Sequence, residues 1–105
     1  MGIISPVGNR LDVAWSNVLE GVSGITQIED FDTSTFPTRI AGLVKDFNVD
    51  TYLSKKDQRK NDPFIHYGVA ATMDAIADSG LEITEDNGRT IGIGMGSGIG
   101  GIKSI

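Results

Sequence analysis

Few residues in this chain could do chemistry. His66 is the single histidine, and there is no cysteine. A thiolate nucleophile, a disulfide and a thiolate metal site are therefore excluded within these residues. One histidine without cysteine makes no zinc site either. A catalytic histidine needs a nucleophile or a metal beside it, and no spacing supplies one for His66. A surface or hydrogen-bonded helix position is expected instead. Glu29, Asp30 and Asp32 are the densest acidic cluster. Paired acid–base work requires one carboxylate with a displaced pKa, which spacing does not provide, so a solvated loop is expected there. Trp15 is expected to anchor a core.

The basic residues are more informative. Lys55, Lys56, Arg59 and Lys60 lie within six positions, opposed only by Asp57, on a chain of net charge −5. That net charge argues against generic nucleic-acid binding. A cationic patch on an acidic chain attracts a specific acidic partner while the remainder repels anions. The same run also reads as a solvated helix face, and both readings stay open on the residues alone.

Glycine is the third signal. It makes up 14 of 105 residues, and seven of the 14 fall between Gly88 and Gly101. Gly96, Gly98 and Gly101 satisfy G-x-G-x-x-G, a weak pattern by itself. A dinucleotide site needs a following helix and a distant acidic residue, and only four residues follow Gly101. A phosphate loop needs Gly-Lys-Ser/Thr, but Ile102 separates Gly101 from Lys103. Tight packing at the end of a strand fits better than nucleotide binding.

These residues must be positioned by regular elements. Leu11, Trp15, Val18 and Leu19 draw one stripe of a helix, with Asn9 as N-cap and Gly21 just past the end. Residues 21–37 read as a loop and Thr38–Val44 as a short strand weakened by Gly42. Ser54, with Asp57 three residues later, approximates a capping box. Asp62-Pro63 starts a new helix, since proline suits the first helical position. Ile65, Val69, Met73 and Ile76 give that helix a core face. Ala70, Ala71, Ala75 and Ala77 allow close approach, and Ser79-Gly80 ends it. Thr84–Gly88 is a polar turn. Thr90–Met95 is expected to be a narrow buried strand entering the glycine loop. No apolar run approaches the roughly 20 residues that cross a bilayer, and the start lacks the features of a signal peptide.

Several ordered strings together resemble a known family. They are Ser5-Pro-Val-Gly-Asn9, Phe31-Asp-Thr-Ser34, Ala41-Gly-Leu-Val-Lys-Asp-Phe-Asn48, Gln58-Arg-Lys60, Asp62-Pro-Phe-Ile65, Asp78-Ser-Gly-Leu-Glu-Ile-Thr84 and Gly96-Ser-Gly-Ile-Gly-Gly101. In this order they resemble the N-terminal part of the beta-ketoacyl-acyl-carrier-protein synthase II family, over nearly the whole chain. The resemblance implies an α/β chain, the N-terminal portion of the first half of a thiolase-like α-β-α-β-α fold. Residues 1–105 would be an incomplete N-terminal synthase domain, opened at an internal methionine and cut before the catalytic half. It also implies a cytoplasmic homodimeric parent, with no cofactor, metal, nucleic acid or membrane.

The family reaction is a decarboxylating Claisen condensation. An acyl chain on a cysteine is attacked by the carbanion from malonyl-carrier protein, with two histidines and a lysine in support. The resemblance places all four groups beyond residue 105, and His66 is not one of them. No catalytic residue transfers, and the chain alone is expected to be inactive. Two features do transfer. Lys56, Arg59 and Lys60 match the surface that docks acyl carrier protein, with Lys55 beside them. Ile99 matches the residue gating the acyl pocket; ordinary loop packing is its other reading. Two further expectations stand beside the condensing-enzyme fragment: a non-catalytic carrier-binding module, and a decayed gene product. The last would leave the Ile91–Met95 strand and the face of the Ile65–Ile76 helix uncovered.

Overall fold

The computed structural model describes residues 1–104. The chain forms two compact units: Ile3–Phe47, and Met1–Gly2 together with the chain from Asn48 onward. Helices and one small antiparallel sheet make it a partial α/β structure.

In the first unit, helix α1 spans Leu11–Leu19. Its end is where the sequence puts it. Gly21 takes φ 70°, its N–H donates to the Val18 carbonyl, and the Val22 N–H donates to that of Asn17 at 2.8 Å. This pair of bonds is a Schellman closure, and it needs the left-handed residue that glycine supplies at little cost. The start differs from expectation. Arg10, not Asn9, is the N-cap, and it offers no side-chain cap. The Asn9 amide instead donates to the Lys45 carbonyl at 2.6 Å, a distant bond that outcompetes the local one.

Residues 21–37 are not all loop. Strand β1, Ile25–Gln27, pairs antiparallel with β2, Ile40–Gly42, placing Ile25 opposite Gly42 and Gln27 opposite Ile40. Three residues in a polar setting carry too little periodicity to be read as a strand. The Lys45 ammonium gathers this unit by donating to the carbonyls of Pro6, Gly24 and Leu43 at 2.9–3.2 Å. Trp15 is not a core anchor; it is 60% exposed. Ala14, 3% exposed, is the apolar residue that α1 buries.

The second unit begins with a 3-10 turn, Val49–Thr51, capped by the Asn48 side chain on the Asp50 N–H. Helix α2, Lys55–Lys60, and helix α3, Pro63–Ser79, follow. Proline opens α3, and Gly80 closes it at φ 71°, both as expected. The small residues of α3 do admit close approach. A Cβ on Gly2 would overlap the carbonyl oxygen of Ala71 and crowd the Ala75 N–H.

Two expectations need correction in this unit. The core face of α3 is covered only in part: Ile65, Val69 and Ile76 are half-buried, Met73 is exposed, and Ala70 is the one fully buried residue of the helix. Thr90–Met95 is not a strand. Gly88–Thr90 is a 3-10 turn, and residues 91–97 have no regular structure. Ile91 is extended, at φ −105° and ψ 122°, but a strand exists only when its backbone groups find a ladder, and the described residues offer none. No helix among the described residues is long and apolar enough to cross a membrane.

A cationic helix and a glycine segment

α2 is six residues long, too short to persist without help. Its start is held by Ser54, whose Oγ accepts from the Asp57 N–H at 3.2 Å and donates to the Asp57 carboxylate at 2.6 Å. Its end is held by the Asn61 amide, which donates to the Asp57 carbonyl at 2.8 Å. From α3, a ring nitrogen of His66 lies 3.2 Å from the Gln58 carbonyl. His66 is thus the hydrogen-bonded helix position the sequence suggests. The Tyr52 hydroxyl donates to Asp74 on α3 at 2.9 Å, tethering the segment that leads into α2.

The half-buried residue of α2 is Gln58; Lys55, Lys56, Arg59 and Lys60 all face solvent. At 3.6 residues per turn, Lys56, Arg59 and Lys60 occupy roughly 100° of the helix surface. Lys56 neighbours both of the others, at spacings of three and four. None of the three has an ion-pair partner among the described residues. Arg59 uses only its Nε locally, on the Lys55 carbonyl at 3.1 Å. Like charges at these spacings repel.

Lys55 is different. Its ammonium pairs with the Asp50 carboxylate at 2.7 Å. The same oxygen accepts from the Gln58 amide at 2.7 Å, and that amide also donates to the Leu53 carbonyl at 2.8 Å. The Lys55 and Gln58 donors hold the Asp50 carboxyl below the ordinary aspartate range. Asp50 and Gln58 escape a reading of the sequence, because the Asp50–Lys55 and Asp50–Gln58 pairs link a turn to a helix across the chain and match no periodic rule.

The glycine segment lies in the same unit. Ile99 is 71% exposed and sits between glycines in an irregular stretch. The Ser97 Oγ accepts from the Gly100 N–H at 3.0 Å. Gly100 takes φ 75° and lies on the Phe64 ring, where a Cβ would come within 3.3 Å of Cζ. Ser104 donates to the Asp62 carboxylate at 2.7 Å, so the segment is fastened immediately after α2. An apolar groove of about 570 Å³ runs between α3 and this segment, lined by Phe64, Gly68, Met73, Ile93 and Met95 among others. Ile99 is not in its lining.

Known proteins resemble the chain throughout its length. It is 57% identical to a 3-oxoacyl-[acyl-carrier-protein] synthase 2 of Vibrio harveyi. Identity is 55% to the protein of that name from Vibrio cholerae and 39% to that from Staphylococcus aureus. Each match covers all 105 residues of this chain and about a quarter of the relative. The model of the beta-ketoacyl synthase N-terminal domain matches residues 1–104. With that match over nearly every residue, the chain belongs to the beta-ketoacyl synthase family, in its N-terminal domain.

Proposed function

We propose that this chain is part of a 3-oxoacyl-[acyl-carrier-protein] synthase and contributes the surface that receives acyl carrier protein. The observation that carries this is the exposed face of Lys56, Arg59 and Lys60, three cations with no ion-pair partner among the described residues, on a chain of net charge −5. The relatives it matches are named for an acyl carrier protein, which is the partner proposed for this face. The reaction proposed for the parent is acyl transfer with carbon–carbon bond formation in fatty acid elongation, on a dimeric, thiolase-like layered fold. The present residues form an incomplete N-terminal domain of that fold. They contain no cysteine, so no acyl thioester forms on them, and the chain alone docks without condensing. Ile99, flanked by glycines that permit backbone rotation, is proposed as the gate of the acyl pocket.

Titration of the 105-residue chain with purified acyl carrier protein tests this. Binding is expected to weaken as ionic strength rises, because exposed charges are screened within about 10 Å at 0.1 M salt. It is expected to be lost when Arg59 and Lys60 are both changed to Glu, and a condensation assay is expected to yield no product. Binding indifferent to salt, absence of binding, or turnover each removes the reading.

One observation favours a decayed product. No large side chain among the described residues is fully buried, and Trp15, Ile93 and Met95 are each at least 60% exposed. Under that reading, so little apolar burial does not offset conformational entropy. A broad, non-cooperative melt is the expected result under that reading. A sharp melt of a monomer eliminates it.

A further inference from the structure

We propose that Asp50 sets the charge pattern of the docking face, by withdrawing Lys55 and leaving Lys56, Arg59 and Lys60 as the recognising set. This deepens the carrier-docking reading and rests on it. Four cations occupy α2, yet they are not equivalent. Lys55 closes on the Asp50 carboxylate at 2.7 Å, while the other three have no such partner among the described residues.

The geometry makes this more than a chance surface pair. One Asp50 oxygen serves both Lys55 and the Gln58 amide, and Gln58 is anchored in turn to the Leu53 carbonyl. The Asn48 side chain, accepting from the Asp50 N–H at 3.1 Å, fixes the turn that carries the carboxylate. Asp50 therefore acts from a defined backbone position through two donors one helical turn apart. An isolated exposed pair pays side-chain entropy to close; here the carboxylate is presented by a capped turn. Asp50 is a positioning residue: it touches no partner, but it decides which ammonium groups can.

The consequence is a smaller cationic face. A four-cation face would attract any polyanion more strongly, whereas three cations within about 100° match a shorter acidic strip. Asp50→Asn keeps an oxygen for Gln58 but releases Lys55.

The test is a double-mutant cycle. The unaltered chain, Asp50→Asn, Lys55→Gln and the combination are each titrated with acyl carrier protein at low salt, and each is also run on immobilised poly-glutamate. Asp50→Asn is expected to bind both probes about two- to five-fold more tightly, the range of one exposed charge interaction. With Lys55→Gln already present, that gain is expected to disappear, and Asp50→Glu is expected to behave as the unaltered chain. An equal gain in both backgrounds overturns the proposal, since Asp50 then acts only as a remote charge. Weaker binding in both backgrounds also overturns it, since Asp50 then merely supports the helix. If the unaltered chain does not bind the carrier protein, the docking reading falls. The retention order on poly-glutamate still decides whether Asp50 withholds Lys55.

Discussion

Two aspartates show how local donors set acidity in this chain. Asp50 is held below the ordinary aspartate value by Lys55 first and Gln58 second. Asp32 is held below it by the Ser34 backbone N–H at 2.9 Å and then by the Ser34 side chain. A carboxyl with a depressed folded pKa contributes stability that is present above the unfolded value of 3.8 and lost as pH falls through the folded value. Both groups are therefore ionised at neutral pH, and their contacts open only in acid below 3.8. The two should respond differently to salt. In a carbon-detected NMR titration, Asp50 is expected to move back toward 3.8 as salt screens the Lys55 ammonium. Asp32, bonded to neutral donors, is expected to stay. An Asp50 midpoint at the ordinary value in low salt excludes the pairing. The cationic cluster is legible at this scale because four of the nine basic residues fall within six positions. Asp50 is not, because its role comes from a turn whose shape the residue types do not announce.

Among the elements, helices were read best. The ends of α1 and α3 follow from Gly21 and Gly80, where a left-handed residue closes the helix. The start of α2 follows from Ser54 and Asp57. Capping is local, so a local reading finds it. Where a distant group intervenes, the same reading fails: Asn9 serves Lys45 rather than α1, and β1 exists through its pairing with β2. Because α2 has only six residues, its caps matter more than in a long helix. Ser54→Ala removes the bond to the Asp57 N–H and is expected to cost about 1 kcal/mol. Hydrogen exchange of the α2 amides is expected to quicken while that of the middle of α3 is unchanged. Equal effects on both helices would instead place Ser54 in a general stabilising role.

On the scale of the molecule, the family is legible while burial is not. The ordered strings from Ser5 to Gly101 point to a beta-ketoacyl synthase, and the family match over residues 1–104 agrees. The strand expected at Thr90–Met95 is absent and the expected core face of α3 is only half-covered, for one reason. Apolar spacing shows which side chains favour burial; it does not supply the surface that buries them. Ile93, Met95 and Met73 have the spacing and lack the cover. The chain spans about a quarter of the length of the relatives it matches, so a pattern shared with them carries information about neighbours that these residues do not include.

Two walls of the groove beside α3 are thioethers, from Met73 and Met95, and both are open to solvent. Methionine oxidises to a polar sulfoxide, and access governs how fast. Peroxide therefore reaches both sulfurs in the uncovered chain and turns an oily wall into a dipolar one, without cleaving a bond of the backbone. Anything that seats itself there shields them. The mass gained at Met73 and Met95 under a short oxidising pulse is thus a direct record of whether the groove was occupied, written by the protein's own side chains.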